Sequence, residues 1–314
     1  MDGGKSRITV IGSYAVGMTI SCARFPNEGE TVPGRNFKLL HGGKGSNQAI
    51  AVARLGGSAT FGSAVGVDNF GDAAVAMLRD EGIDSRFVTR KPGHSTGVGL
   101  VIVSDNGSNE IVIDLGANDA LSVADIDAMK SAIAASDLLL VQLESNLDAV
   151  VHAVDIAYAA GVPVILNPAP FRQLPDATLA KAAYLTPNET EAAALLGLPR
   201  NVVLDGAALA GRLFERFGNS VVVTLGEKGA YVRSAKLDRA VPTFPAKCID
   251  STGSGDTFSG ALAVALGEGE DLVAAVSFAN MAASMSVEIE GVVEGIPQRA
   301  DVDTRLAAAI GSVK

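Results

Sequence analysis

Short apolar runs alternate along the chain with longer stretches whose apolar residues recur at helical spacing. The apolar runs cover residues 8–11, 60–63, 138–142, 162–167, 184–186 and 221–224. The stretches with helical spacing, most of them rich in alanine, cover residues 45–55, 72–81, 147–160, 206–217 and 254–265. Strands that alternate with helices of this length form right-handed βαβ units. We therefore expect an α/β fold with a Rossmann-like, mostly parallel sheet flanked by helices.

Two stretches break this alternation. Residues 19–40 carry prolines and glycines between short extended pieces, and residues 97–114 contain two apolar runs joined by Asp105-Asn106-Gly107-Ser108. Asn-Gly between alternating apolar residues is a strong hairpin signal. The pattern predicts a small antiparallel β-sheet that projects from the α/β core.

We expect this small sheet to consist of about residues 16–41 and 96–115, within a single domain that takes in residues 1–314. A sheet of this kind can close over a site as a lid, form a dimer interface, or do both. An apolar face containing Ile20 and Val101 would suit a homodimer formed lid to lid. A hairpin without either role is the alternative.

Composition and charge exclude several classes of protein. Hydrophobic residues make up 48% of the chain and charged residues 19%, which is typical of a folded protein with a large core. The net charge of −10 argues against nucleic acid or an anionic membrane as a partner. The two cysteines, Cys22 and Cys248, have no neighbours at metal-ligand spacing. With neither a secretory leader nor a long apolar run, a cytoplasmic protein without transmembrane segments is expected.

The segment with the clearest chemical signal runs from Asp250 to Gly260 and leads into an apolar helix. Gly253, Ser254 and Gly255 would let backbone N–H groups converge at the start of that helix, where an anion is favoured. Asp256 lies in the same first turn, and its carboxylate could accept a proton from a nucleophile that faces a bound phosphate. The alternative is that Asp256 only caps the helix. The segment is neither a Walker A loop nor a dinucleotide fingerprint.

A second glycine-rich segment, residues 41–49, also precedes a helix. Its glycines, among them Gly42 and Gly43, allow the backbone to come close to a ligand. Asn47 offers an amide for recognising hydroxyl groups, and Lys44 offers a positive charge for a phosphate. The alternative is a glycine turn followed by an ordinary helix.

Together these two segments resemble the signature regions of the ribokinase-like carbohydrate kinases, the pfkB-type sugar kinases. The similarity extends from about residue 8 to residue 297. It includes the segments 66–71, 95–98, 142–145, 167–170, 186–191 and 224–226. Several ordered segments at compatible spacing are more specific than any one of them.

The resemblance implies an ATP-dependent phosphotransferase that phosphorylates a hydroxymethyl group of a small sugar or polyol. In that family, the residue matching Asp256 is the general base, and those matching Gly253, Ser254 and Gly255 form the anion hole. Asn188 and Glu191 match residues that organise Mg²⁺ through water. From the residues alone, Asn188 to Glu191 read as the capped, acidic start of a helix.

The other matched positions fall into three sets. The nucleotide set consists of Asn188, Thr224, Leu225, Gly226, Glu227, Lys228, Gly229, Gly255 and Asn280. The sugar set consists of Gly42, Gly43, Lys44, Asn47, Glu144 and Asp256. The resemblance also implies a monovalent cation, K⁺, held by Asp250, Thr252, Ser286, Ile289, Gly291 and Gly295.

One departure from the family pattern concerns the substrate. Ribokinases carry an Asn-x-Asp pair after the first strand that binds sugar hydroxyls, and here its positions are Ala15 and Gly17. We therefore expect weak binding of ribose unless another acid, for example Asp114, replaces the missing carboxylate. The alternatives are a nucleoside kinase, or a catalytically idle, sugar-sensing protein of the same fold.

Overall fold

The computed structural model of the protein describes residues 5–199, 202 and 204–311, and within them two β-sheets form. The larger sheet contains β1 (Arg7–Ile11), β4 (Ser58–Gly66), β5 (Asp84–Lys91), β8 (Leu138–Val141), β9 (Val164–Leu166), β10 (Tyr184–Leu185), β11 (Ser220–Thr224), β12 (Ala230–Arg233) and β13 (Asp238–Val241). Its order is β13-β12-β11-β10-β9-β8-β1-β4-β5. All neighbours run parallel except β11–β12 and β12–β13. The predicted mostly parallel sheet is confirmed.

Helices cover both faces of this sheet. They are α1 (Lys44–Arg54), α2 (Asn69–Asp80), α3 (Val123–Ala128), α4 (Lys130–Ala134), α5 (Leu147–Ala159), α6 (Asp176–Leu179), α7 (Glu189–Leu195), α8 (Gly206–Phe217), α9 (Ser254–Gly267), α10 (Leu272–Ser286), α11 (Val292–Gly295) and α12 (Arg299–Gly311). Along β8, Leu138 and Leu140 join the apolar cluster of α1, α9 and α10, whereas Leu139 and Val141 join that of α5 and α8. This alternation places one core on each face of the sheet.

The smaller sheet contains β2 (Ala15–Cys22), β3 (Gly34–Gly42), β6 (Gly97–Ser104) and β7 (Asn109–Asp114), in the order β3-β2-β6-β7. The β2–β3 and β6–β7 pairs are antiparallel, as expected for hairpins. The inner pair, β2–β6, is parallel because the chain passes through the core between these two strands.

The register of the smaller sheet corrects one expectation about its faces. Thr19 pairs with Val101, and Ile20 pairs with Ile102. Because neighbouring residues of a strand point to opposite faces, Ile20 and Val101 do not share an apolar face. The apolar residues of the smaller sheet are instead divided between its two faces.

In the described part of the chain, none of the helices combines the length and apolar character needed to cross a bilayer. Cys22 is buried and Cys248 is exposed, and neither forms a disulfide.

Candidate active site

A cleft opens at the carboxyl edge of the larger sheet, where Asn167, Thr186 and Thr224 follow or end β9, β10 and β11. Such edges are where open α/β sheets bind ligands. The lining residues are Lys44, Asn167, Ala169, Thr186, Asn188, Glu191, Thr224, Gly253, Gly255, Asp256 and Ser259. Seven of the residues singled out in the sequence as site candidates, from four separate segments, therefore meet around one cleft.

Asp256 lies at the bottom of this cleft with only 5% of its surface exposed. Asn47 Nδ2 donates to its Oδ2 at 2.9 Å, and Gln48 Nε2 donates to its Oδ1 at 3.0 Å. Burial raises the pKa of the Asp256 carboxyl, and the positive charge of Lys44 and the two amide donors act in the opposite direction. The result is a carboxylate held as an acceptor and suited to taking up a proton.

The first turn of α9, which contains Asp256, presents free backbone donors to the cleft. Gly253 precedes the helix with φ 76°, and no side chain caps the first turn. Within the described residues, the N–H groups of Gly255 and Asp256 donate no hydrogen bond. A Cβ on Gly255 would meet no atom within 4 Å, so the space in front of these donors is open. An anion would be stabilised at this position.

The start of α1 differs, because its donors are already occupied. Gly43 precedes the helix without a side-chain cap, but the N–H of Lys44 donates to Glu144 Oε2 at 2.8 Å. Ser13 Oγ donates to the same oxygen at 2.7 Å. In the described structure, Glu144 Oε1 accepts no hydrogen bond and is available to a ligand.

Two side chains at the start of α7 also face the cleft. Asn188 Oδ1 accepts from the N–H of Glu191, and Glu191 Oε2 accepts from the N–H of Asn188, each at 2.9 Å. This reciprocal pair is a capping box, as the sequence alone indicated. Burial raises the pKa of Glu191. No group of three or more His, Cys, Asp or Glu side chains among the described residues could enclose a metal ion. A magnesium ion that keeps most of its waters needs only one or two protein side chains, and Asn188 with Glu191 is the candidate pair that the sequence named.

The predicted nucleotide positions lie beside Asn188. Thr224 forms a parallel bridge with Asn188, and the turn that contains Leu225, Gly226, Glu227, Lys228 and Gly229 follows it. Gly229 has φ 87°, and a Cβ there would lie 2.3 Å from the carbonyl oxygen of Val241. Asn280 lies in α10, and its Nδ2 donates to the carbonyls of Val241 and Pro242, each at 3.1 Å. The amide nitrogen of Asn280 thus holds the end of β13.

The predicted cation positions surround the loop between α10 and α11. The carboxylate of Asp250 accepts from the N–H of Thr252 at 3.0 Å and from that of Gly291 at 3.1 Å. The carbonyl oxygens of Ser286 and Ile289 lie 2.6 and 3.6 Å from where a Cβ on Gly295 would stand. Both carbonyl oxygens thus lie near Gly295, where any side chain would collide with the backbone of Ser286.

The two faces of the smaller sheet can be distinguished from its register. Val16 packs with Tyr14 and Val98 on one face, so Gly17 lies on the other. Gly17 pairs with Leu40, and two residues away on the same face Lys38 forms an ion pair of 2.6 Å with Glu290, next to α11. The face that carries Gly17 therefore lies toward the loop before α11, whereas Val16 on the opposite face packs against Val65 of the core. We call them the inner and the outer face.

This inner face has no polar side chain where the family's sugar-binding pair would lie. Ala15 and Gly17 pair with Gly97 and Gly99 of β6. Asp114 pairs with Val98 and so lies on the outer face, where its Oδ1 accepts from the N–H of Gly116 at 2.9 Å. In this register Asp114 does not lie beside Gly17 and Gly99, so the structure gives no support to the alternative in which it replaces the missing carboxylate.

Sequence reasoning did not assign a role to four residues that line the cleft, namely Asn167, Ala169, Thr186 and Ser259. Asn167 and Thr186 each stand directly after a buried strand and before a proline, and that position was the available signal. Gln48 lies within the glycine-rich segment 41–49, but nothing in the sequence indicated that it is a partner of Asp256.

Taken together, a buried carboxylate beside open backbone donors at a helix start defines a site for moving a phosphoryl group onto a hydroxyl. A ribokinase from Haemophilus influenzae is 38% identical over 298 residues, which cover 94% of this chain and 96% of that enzyme. A deoxyribokinase from Salmonella typhimurium is 36% identical over 291 residues, covering 92% of this chain and 95% of that enzyme. The structure of Arabidopsis thaliana ribokinase complexed with ribose and ATP has a TM-score of 0.88 at 29% identity, covering 96% and 99% of the two chains.

The model of the pfkB family carbohydrate kinases matches residues 5–299. The chain therefore belongs to the pfkB family of carbohydrate kinases, and it is an ATP-dependent sugar kinase.

Proposed function

We propose that this enzyme transfers the γ-phosphoryl group of ATP to a hydroxymethyl group of a small sugar, with Asp256 as the general base. One observation carries the assignment. The Asp256 carboxylate, fixed by Asn47 and Gln48, lies in the same helical turn as the open N–H groups of Gly255 and of Asp256 itself. The proton acceptor and the anion-binding donors are thus built on one rigid element.

The proposed reaction follows from this placement. The Asp256 carboxylate takes the proton of the acceptor hydroxyl as its oxygen attacks the γ-phosphorus, and ADP leaves. The helix start formed by Gly253, Ser254 and Gly255 stabilises negative charge on the transferring group. Asn188 and Glu191 would hold Mg²⁺ through water, and the ion supplies neutralisation of phosphate charge. The buried Lys44, whose positive charge is favoured by Asp256, faces the same space.

Acceptors of hydrogen bonds on the core side of the cleft would bind the sugar. The Asn47 amide nitrogen is engaged with Asp256, whereas Asn47 Oδ1 is buried and has no partner in the described structure. Glu144 Oε1 offers a second free acceptor. Gly42 and Gly43 bring the backbone close to this position. Hydroxyl groups of a sugar can satisfy these acceptors.

The nucleotide would lie along the turn from Thr224 to Gly229 and near Asn280. We further propose that K⁺ occupies the loop of Asp250, Thr252, Ser286, Ile289, Gly291 and Gly295. The two carbonyl oxygens near Gly295 support this assignment. The loop touches the anion-binding start of α9, since a Cβ on Gly253 would lie 2.3 Å from Val292.

We propose that the smaller sheet is a lid, and that its bare inner face selects the acceptor. A ribose hydroxyl that turns toward Gly17 and Gly99 would lose its water and find no side-chain partner. A sugar with no hydroxyl on that side, such as a deoxypentose, has no such cost. We therefore expect ribose to be a poor acceptor relative to the preferred one.

We also propose a cytoplasmic homodimer formed through this sheet. Exposed apolar side chains on the outer face support an interface, namely Leu39 of β3 at 53% exposure and Val112 of β7 at 67%, which lie in one row across the sheet. A supply of ATP supports the cytoplasmic location.

A coupled ADP-release assay tests the proposal over pentoses, deoxypentoses, hexoses, polyols and nucleosides, with and without K⁺. We expect turnover with a deoxypentose or another small sugar, and loss of that turnover in Asp256→Asn. Turnover with nucleosides alone would favour the nucleoside-kinase alternative. ATP binding without turnover on any acceptor would favour the idle, sugar-sensing alternative.

A further inference from the structure

A chain of buried amide side chains connects Asp256 through the core to Asn167, which also lines the cleft. Gln142 Nε2 donates to Gln48 Oε1 at 2.7 Å, and Gln48 Nε2 donates to Asp256 Oδ1 at 3.0 Å and to Asn167 Oδ1 at 3.2 Å. Asn167 Nδ2 donates to the carbonyl oxygen of Thr186 at 2.8 Å. The network joins α1, β8, β9, β10 and α9.

The direction of this network is fixed from its far end. The carbonyl oxygen of Thr186 can only accept, so the Asn167 amide must turn its nitrogen to Thr186 and its oxygen to Gln48. Gln48 must then turn its nitrogen to Asn167 and Asp256. Gln142 supports the same orientation, because it donates to the oxygen of Gln48. Asp256 therefore meets a donor at Oδ1, and it meets the amide nitrogen of Asn47 at Oδ2.

The fold reserves space for this arrangement. Gln48 and Gln142 are both fully buried. A Cβ on Gly12, which follows β1, would lie 1.8 Å from Gln142 Oε1, so any larger residue would displace that amide. Buried amides carry a desolvation cost that hydrogen bonds offset and that an apolar packing layer would avoid. Among the amide atoms of Gln48, Gln142 and Asn167, only Gln142 Oε1 lacks a partner in the described structure.

We propose that Gln48, oriented by Gln142 and Asn167, is a positioning residue that keeps Asp256 charged and aimed at the acceptor hydroxyl. The proposal rests on Asp256 being the base. An N–H donor at Oδ1 stabilises the charged carboxylate. It would not make this favourable hydrogen bond if that oxygen carried a proton. It opposes the effect of burial, which raises the pKa of Asp256. The other charged groups that face Asp256 are Lys44 from α1, Glu144 from the end of β8 and Glu191 from α7, and none of them belongs to the network.

The test is the pH dependence of kcat/KM for the acceptor at saturating ATP in Gln48→Met, which keeps the length of the side chain and removes the donor. The base works only when deprotonated, so activity falls as the pH falls through its pKa. Loss of the donor raises that pKa, and we expect the acid limb to move upward by about one pH unit. At a pH below both limbs, activity should fall about tenfold, and it should recover toward the wild-type value at high pH.

Two further variants complete the design. Gln142→Met leaves every contact of Asp256 in place and should move the acid limb in the same direction by a smaller amount. If Gln48→Met does not fold, the pH profile of Gln142→Met tests the proposal in its place. Gln173→Met, at an exposed glutamine, is the matched control and should leave the profile unchanged.

A folded Gln48→Met enzyme whose activity falls equally at all pH values, with its acid limb unmoved, would overturn the proposal. This result differs from a failure of the proposed function, which would show as normal turnover in Asp256→Asn.

Discussion

The start of α9 and the inner face of the smaller sheet, which we propose to cover the cleft as a lid, are built in opposite ways. Around Asp256, both carboxylate oxygens have partners, and the remaining backbone donors point to open space. On the sheet, Ala15, Gly17 and Gly99 offer almost no side chain at all. In the function that we propose, phosphoryl transfer is assigned to the rigid core, and the choice of acceptor is assigned to a surface that can be changed without disturbing the chemistry.

Of all the substitutions considered, removing the base should have the largest effect on activity. We expect Asp256→Asn to lower kcat by about 10²–10⁴-fold, because the amide keeps the shape of the side chain but accepts no proton. ATP binding should be nearly unchanged. Steady-state kinetics and nucleotide titration measure both quantities. Asp80→Asn, at the exposed end of α2, is the matched control. Normal kcat in Asp256→Asn would show that Asp256 is not the base and would contradict the role given to the core.

A side chain at Gly255 should cause the next largest effect. A Cβ there meets no protein atom, so Gly255→Ala and Gly255→Val should fold while their side chains enter the path of the phosphate. We expect a loss in kcat of up to about 10²–10³-fold, the range for disturbing one donor of an anion hole, and a larger loss for Val than for Ala.

Gly211→Ala is the matched control for Gly255→Ala. Gly211 is also a helical glycine whose Cβ would meet no atom within 4 Å, but it lies in α8, away from the cleft. Thermal melting should show both alanine variants at least as stable as the wild type, because alanine favours a helix. Normal kcat in a folded Gly255→Val enzyme would show that no phosphate passes this point.

On the sheet side, restoring polar groups should give a moderate gain. We expect Ala15→Asn with Gly17→Asp to raise kcat/KM for ribose by about tenfold or more, since one hydrogen bond to a carboxylate contributes on the order of 1.5–3 kcal/mol. A Cβ at Gly17 would come no closer than 3.7 Å to Leu40, so the position accepts a side chain. Competition between ribose and deoxyribose in one assay measures the shift. An unchanged preference between ribose and deoxyribose would mean that this face does not determine which acceptor is used.

The smallest effect is expected at Asp114. Because its carboxylate lies on the outer face of the sheet, Asp114→Asn should leave kcat/KM for ribose within about twofold of the wild-type value. A strong loss of ribose activity would contradict the assignment of the faces. It would also show that an acid outside the cleft can replace the missing one.

The elements that the sequence predicted and those it missed differ in how they are buried. Helix α8 was predicted at the bounds observed, 206–217, because it has one buried face and an aspartate that caps its start. Helix α10 gave no such signal, since it is apolar nearly all round and packs against α9, α12 and the sheet. The polar edge strand β13 was missed because it has no buried face to set its period.

The site was predictable to the extent that each contact is local. Glycines before a helix and an aspartate in its first turn suggested the anion site from neighbouring residues alone. The capping of α1 by Glu144 joins residues 100 positions apart, and no local pattern encodes it. The parallel pairing of β2 with β6 likewise depends on the path of the intervening chain.

The hydrogen bond between Asn47 and Asp256 spans 209 positions of sequence, and this distance has a consequence during synthesis. The acceptor-binding segment leaves the ribosome early, together with β1 and the first strands of the sheet. All four strands of the smaller sheet lie within residues 15–114, whereas the base is made only when four fifths of the chain exists. A truncated product that ends before α9 would therefore contain the acceptor-binding segment but not the base, and we expect it to be inert toward ATP.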